Sequence, residues 1–202
     1  MRTPMTECRL ASEADTAAVT AAIVTAFAAD PVWGEYAFPG VSRRPEIAQP
    51  FWELGVRAAM RLSATFVTPG CEAAAVWIPP GEDEMTPQQE AEVADLLASL
   101  FGPAQARVVV DISERLNAAH PHDEPHHYLS LLATHRDHRG RGLGMGLLGA
   151  CLESIDAEHV PAYLESTNPA NDARYRRYGF EPHSLVTLPN GAPITTMWRA
   201  AR

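Results

Sequence analysis

The residues best placed to do chemistry form one short run, Arg139-Gly140-Arg141-Gly142-Leu143-Gly144, just beyond the apolar stretch Leu131-Leu132-Ala133-Thr134. A strand that feeds a glycine-rich loop, which then opens a helix, leaves backbone N–H groups uncovered at a positive helix end. That is a general site for phosphate or pyrophosphate. Arg139 and Arg141 add charge beside it. The segment Gly144-Met145-Gly146-Leu147-Leu148-Gly149 also fits the dinucleotide fingerprint, with Glu165 near the expected place of a ribose-binding acid. That reading fails because the fingerprint needs its first glycine directly after the strand, and residues 135–143 intervene. Too little chain follows for the further βα units such a domain carries. Close helix packing accounts for Gly146 and Gly149, but it leaves the cluster of Arg139, Gly140, Arg141 and Gly142 unexplained.

Other reactive residues say less. His120, His122, His126 and His127 raise the question of zinc. Zinc sites use fixed spacings on formed elements with cysteine or carboxylate partners. This stretch is irregular and proline-rich, so it reads as a solvated loop and no metal is expected. His127, at the start of a strand, is a candidate for lining an acceptor pocket, and Asp123 and Glu124 would attract a cation there. The chain has no lysine, which excludes a Walker phosphate loop and Schiff-base catalysis. Cys8, Cys71 and Cys151 are far apart, so they form neither a disulfide framework nor a metal site and read as small apolar residues.

The length of 202 residues suits one hydrophobic core. Sixteen basic against twenty-five acidic side chains give a net charge of -9. Nucleic acids and anionic membranes require a basic face, so neither is an expected partner. An acidic surface favours a cationic substrate such as an amine. No apolar run approaches the ~18–20 residues of a membrane span, and the N-terminal segment has no apolar core of a signal peptide. The expectation is a cytoplasmic protein acting as a monomer or homodimer.

The elements that must position these residues follow from periodicity and turn signals. Strands are expected at 6–10, 64–68, 73–78, 128–134, 161–166, 180–188 and 194–199, and helices at 45–62, 87–101, 103–119, 143–158 and 170–178. A further helix carries Val19, Ala22, Ile23, Ala26 and Phe27, with Ser12 as its N-cap and Asp30-Pro31 as its stop. Pro69-Gly70 and Asn190-Gly191 mark hairpin turns. The class is α/β around one sheet.

Arg139, Gly142 and Gly144 fit the pattern Arg/Gln-x-x-Gly-x-Gly/Ala. Leu164-Glu165-Ser166-Thr167-Asn168-Pro169, then Asn171, Tyr175 and Gly179-Phe180, follow in order. In these features the chain resembles the GNAT superfamily of N-acetyltransferases. The resemblance is strong over 128–199 and weaker at Arg9-Leu10-Ala11 and Ala75-Val76-Trp77, and it is greatest for the puromycin N-acetyltransferase-like branch. Thr134-His135-Arg136 departs from the Val-Asp-Pro common in relatives.

The resemblance implies a single domain over 1–202 with its cofactor core at about 128–180. It implies a mostly antiparallel sheet of six or seven strands, flanked by helices, with one splayed parallel pair. Acetyl-CoA would be the co-substrate, its pantetheine on the backbone of Leu132, Ala133 and Thr134 and its pyrophosphate on the amides of Arg139, Gly140, Arg141, Gly142, Leu143 and Gly144. Tyr175 corresponds to the general acid that protonates the CoA sulfur. Glu165 would accept the amine proton, directly or through water, or would hold an arginine in a salt bridge. Asn171 would touch the cofactor or cap the short helix. A backbone N–H near Ala133 or Thr134 would face the oxyanion. The amine would attack directly in a ternary complex, with no cysteine carrier. Trp33, Tyr36 and Phe38 would wall the acceptor site or pack beneath a loop. The implied acceptor is a small-molecule amine, antibiotics and related metabolites included. A peptide N-terminus and a non-catalytic acyl-CoA-binding role are the alternatives.

Overall fold

The computed structural model describes residues 6–202; the expectations that rest on residues 1–5 lie outside it. Seven strands form one sheet in the order β1-β2-β3-β4-β5-β7-β6. They are β1 (Arg9–Leu10), β2 (Thr65–Val67), β3 (Ala73–Ile78), β4 (His127–Thr134), β5 (Ala162–Ser166), β6 (Glu181–Thr187) and β7 (Pro193–Arg199). Every pairing is antiparallel except β4 with β5. The helices are α1 (Thr16–Phe27), α2 (Gln49–Met60), α3 (Pro87–Phe101), α4 (Pro103–Ala119), α5 (Leu143–Glu158) and α6 (Asp172–Arg176). Among the described residues no single helix is long and apolar enough to cross a membrane.

All six residues of β3 are buried, because helices cover both faces of the sheet. Ala73, Ala75 and Trp77 pack with Leu147, Leu148, Cys151 and Leu152 of α5. Ala74 and Val76 point the other way, into a cluster with Val19 and Ile23 of α1 and Val56 of α2. Alternation along a strand produces this division. Alanines at three of the six positions let the helices on both sides approach closely.

The α5 layer is fastened to the far side of the sheet by an ion pair. Arg199 on β7 is 2% exposed. Its guanidinium donates to both Asp156 oxygens at 2.6 and 2.7 Å, and its Nε donates to the Tyr178 carbonyl at 2.8 Å. Removing the carboxylate strands a buried cation, but Asp156 itself keeps contact with water, so the cost falls below that of a fully buried pair. Asp156→Ala is expected to destabilise the fold by about 2–3 kcal/mol, or about 4–12 °C in Tm. Arg199 holds the Asp156 carboxyl below the ordinary range. The contribution is therefore complete above about pH 4 and is lost as pH falls through the lowered value. Thermal unfolding at pH 7 and pH 3 checks both points: the gap between wild type and variant should narrow in acid.

One local expectation is corrected and another is extended. Ser12 does not cap helical amides with its hydroxyl; the hydroxyl and the Ser12 N–H both donate to Asp15 at 2.8 Å, and Arg9 closes on the same carboxylate. α1 does end before Asp30-Pro31, with Asp30 in the extended backbone that proline imposes on the residue before it, but the chain turns there as well. Asp30 starts a wide π-type helical turn, Pro31–Ala37, and its Oδ1 accepts from the Val32 and Trp33 amides at 3.0 Å each.

Candidate active site

Strands β4 and β5 pair only through His127–Ala162, Tyr128–Tyr163 and Leu129–Leu164. β4 then runs on to Thr134 and β5 to Ser166 without further pairing between them. β5 stays paired to β7 along its whole length and β4 to β3, so the parallel pair opens like a V. The opening begins at a β-bulge. Val76 on β3 faces Leu131 and Trp77 faces Leu129, so Ser130 is the extra residue. The extra residue inverts the alternation. Leu129 packs toward α5 while Leu131 packs toward α1 and α2.

The bulge also sets which backbone groups face the gap. Beyond it the His135 N–H donates to the Glu72 carbonyl on the β3 side at 2.8 Å. Hydrogen-bonded and non-bonded pairs alternate in an antiparallel ladder, so Ala133 turns its N–H and C=O to Ala74. Leu132 and Thr134 turn theirs away from β3, into the V. This corrects the expectation for Ala133: its polar backbone belongs to the sheet, and its side chain is buried. Leu132 and Thr134 remain as the backbone donors and acceptors of the gap.

The glycine-rich loop closes one end of the V. Gly140 and Gly142 have φ of 79° and 76° with open space around them, a left-handed backbone that other residues adopt at a cost. Gly142 is the N-cap of α5, no side chain caps that end, and no acidic residue lies in the first turn. Uncovered amides and a positive dipole end therefore meet beside the gap. Gly144 has a different reason to be glycine: a Cβ there would lie 2.6 Å from Thr134 Oγ1. Gly146 and Gly149 are close-packing positions against Thr6 and Tyr178.

The two arginines of the loop do not crowd round the amides as the sequence suggested. Arg139 Nη2 donates to the Thr25 and Ala26 carbonyls at 3.2 and 2.8 Å. It satisfies the C-terminal end of α1 and ties the loop to that helix, which is where a cation helps. Arg141 Nη1 lies 3.1 Å from His138 Nδ1 on the exposed side of the loop. Loop amides, rather than arginine heads, are what the structure offers to an anion.

At the other end of the gap stands Glu165, its side chain 7% exposed. Tyr128 and Tyr163 are register partners across β4 and β5, and Glu165 shares a face with Tyr163 two residues earlier. Both phenols donate to its carboxylate, at 2.9 Å from Tyr128 and 3.2 Å from Tyr163. His120 Nδ1 is 4.0 Å away. The salt bridge to arginine considered for Glu165 is absent among the described residues. Burial, and then the Glu165 charge, push both phenols above the ordinary tyrosine range.

Tyr175 on α6 lines the same cavity and packs against Phe180 with ring centroids 6.3 Å apart. Burial, then the charges of Asp30 and Asp172, push its phenol up to about 12. It is a protonated donor at neutral pH. Asn171 does not cap the short helix: its Oδ1 accepts from Arg174 at 3.0 Å, and the capping oxygen is that of Asn168, on the Ala170 amide at 3.1 Å. Asn171 lines the cavity.

Several site residues carried no legible signal. Thr167 donates to Asp30 Oδ2 at 2.8 Å and so ties the end of β5 to the wall after α1. Ser130, in the bulge, donates to Glu84 Oε1 at 2.5 Å. The histidines of the loop before β4 are not simply solvated. His126 is buried, and His120 packs edge-on against Tyr128 and Tyr163 with its Nε2 3.0 Å from His126 Nε2. Trp33, with Phe27, Phe51 and Trp52, walls the cavity, whereas Phe38 is fully buried beneath them and Tyr36 is not on the wall.

These features border one cavity of about 1740 Å³. Single-ligand pockets span about 300–1,000 Å³, so this one has room for two substrates side by side. Among the described residues no cysteine borders it, and burial pushes the Cys151 thiol up to about 12, which leaves it a poor nucleophile.

Residues 107–200 match the family model described as acetyltransferase (GNAT) domain. The whole fold matches solved structures of that kind. One is described as a histone acetyltransferase and related acetyltransferase from Corynebacterium glutamicum, with 27% identity, 96% of each chain covered and a TM-score of 0.68. Another is arylalkylamine N-acetyltransferase 2 from Aedes aegypti, with 12% identity, 97% of this chain and 99% of that one covered and a TM-score of 0.70. A third is the NatC complex bound to Gag peptide and CoA, with 13% identity, 97% and 98% covered and a TM-score of 0.52. The fold is that of the GNAT acetyltransferases, with the matched domain spanning the V, the glycine loop and Tyr175.

Proposed function

We propose that the protein is an acetyl-CoA-dependent N-acetyltransferase whose acceptor is a small, positively charged amine. The observation that carries this reading is the polarity of one cavity. Its loop end offers the α5 amides and the gap-facing backbone of Leu132 and Thr134. Its opposite end offers the buried carboxylate of Glu165 and no lysine or arginine partner for it. A CoA-bound complex among the fold neighbours supports the cofactor, and the arylalkylamine enzyme supports a small amine as acceptor.

In this reading the amides from Gly142 to Gly144 hold the pyrophosphate, and Leu132 and Thr134 hydrogen-bond the pantetheine. Acetyl-CoA supplies an activated acyl group as a thioester. Glu165 draws in the ammonium form of the acceptor and takes one proton from its nitrogen. The freed lone pair then forms the new N–C bond. A gap-facing N–H donates to the carbonyl oxygen as negative charge gathers there. Tyr175 gives its proton to the sulfur as the C–S bond breaks, and the second proton lost by the nitrogen restores the phenol. Cys151, buried and poorly acidic, takes no part, so both substrates occupy the cavity together. α3, α4 and the segment 79–86 cover the acceptor end, which favours a small acceptor over a folded protein surface. Resemblance to the puromycin-like branch places aminonucleoside antibiotics among the amines to assay.

The test is CoA-thiol release from acetyl-CoA with matched cationic, neutral and anionic amines. Cationic amines are expected to be preferred by at least about tenfold in kcat/KM, a difference of about 1.4 kcal/mol. Saturable acetyl-CoA binding with no amine turned over would contradict the enzyme reading.

A further inference from the structure

A second carboxylate stands on the acceptor side of the cavity. Glu84 lies in the segment between β3 and α3, which Arg61, just past the end of α2, anchors through the Asp83 carbonyl and through Glu82 at 3.9 Å. That anchoring leaves Glu84 to turn inward, where it borders the cavity and its Oε1 accepts from Ser130 at 2.5 Å. Among the described residues no arginine or lysine faces its other oxygen: Arg61 is committed to Glu82 and Asp83, and Arg139 to the end of α1. The base near the pair is His120, which stands 4.0 Å from Glu165 and spends its Nε2 on His126 at 3.0 Å. Burial, and after it the Glu165 charge, push the Glu84 carboxyl up.

β4 explains why Glu84 and Glu165 share one space. Tyr128 and Ser130 are two residues apart on β4 and lie on the same face, and each anchors one of the two carboxylates. Tyr128 feels the charge of both. Two enclosed carboxylates that repel each other, with no arginine or lysine between them among the described residues, are unfavourable unless one takes up a proton or a cation joins them. One positive charge would serve Glu165 and is consumed when the amine gives up its proton. The charge of Glu84 remains and needs a cation that survives the reaction.

We infer that the acceptor carries a second positive charge, which Glu84 holds while Glu165 deprotonates the reacting amine, so that the preferred substrates are diamines or compounds that join an amine to another cationic group. The inference rests on the proposed transferase activity and narrows its substrate class. The aromatic wall of Phe27, Trp33 and Phe51 suits the apolar spacer of such a molecule and the face of a cation.

The test compares 1,5-diaminopentane with 1-aminohexane, in which a methyl group replaces the distal ammonium. CoA release and the acetylated product are followed in the wild type and in Glu84→Gln, which keeps an acceptor for the Ser130 hydroxyl. The wild type is expected to prefer the diamine by about 10²-fold in kcat/KM, as for a desolvated charge pair lost on one side. In the variant that preference should fall to within a few fold of one, chiefly through KM for the diamine. Equal use of both amines by the wild type would overturn the inference while leaving the transferase reading intact. So would an equal fall for both amines in Glu84→Gln, which is the mark of a purely structural Glu84. Turnover of neither amine, nor of any in the broader panel, would overturn both readings.

Discussion

Tyr175→Phe is expected to lower kcat by about 10²–10⁴-fold and to leave acetyl-CoA affinity within about threefold. The substitution removes one oxygen and keeps the ring that packs on Phe180, so the fold should persist. The loss arises because the CoA sulfur must leave without a proton, and only the transition state feels that. The pH profile carries independent information. With the phenol at about 12, Tyr175 stays protonated across the working range. The wild-type kcat should therefore show no descending limb from this group below about pH 11. A limb near the ordinary tyrosine value of about 10 would point to a more solvated phenol than the structure contains. Single-turnover rates with the variant separate loss of chemistry from loss of binding.

Glu165→Gln should have the second large effect, a fall of about 10²–10⁴-fold in kcat/KM near neutral pH. Glutamine keeps an oxygen for one of the phenols but has no basic oxygen for the ammonium proton. As the pH rises toward the pKa of the free amine, solvent removes that proton instead, and the variant should recover toward wild type. A structural role for Glu165 gives no such recovery. Glu165→Ala is a harsher change. It leaves the phenols of Tyr128 and Tyr163 without their shared acceptor, at about 1–3 kcal/mol for each group left unsatisfied, and lower thermal stability should accompany its loss of rate.

The parts of the architecture that were legible in the sequence are those with strong local chemistry. α5 begins and ends where glycine signals and apolar periodicity placed it, at Leu143 and Glu158. α3 and α4 fall where Pro87 and Pro103 start them. β3 was visible as an apolar run between turn residues. The strand order was not derivable from spacing; the resemblance carried only the mostly antiparallel sheet and its splayed parallel pair. Within the site, Gly142 and Gly144 were legible as a pair, but for two different physical reasons that the spacing does not separate. One supplies a left-handed backbone and the other makes room for Thr134.

What was missed depends on long-range geometry. Nothing near Glu84 marks it, since the hydroxyl that holds it, on Ser130, lies forty-six positions away. The arginine heads misled because a side chain six atoms long reaches whichever carbonyls the tertiary fold brings near, and for Arg139 those end α1. Asp30 read as a helix stop, and its second contact, to Thr167, spans 137 positions. The cradle for Glu165 was half visible in retrospect: Tyr128 and Tyr163 fall near the starts of two strands expected to be parallel neighbours, and the structure makes them register partners. Register across a parallel pair is set by the crossover helix, here α5, and not by either strand alone.

The most direct measurement follows the acetyl carbonyl itself. The protein is incubated with acetyl-CoA labelled with carbon-13 at the carbonyl and with 1,5-diaminopentane, and the label is observed by NMR as the thioester disappears. The thioester signal is expected to pass into an amide signal at the rate of CoA release, with no labelled protein adduct in between. Label appearing as free acetate, or a thioester that persists in the presence of every amine, would contradict direct transfer to the amine.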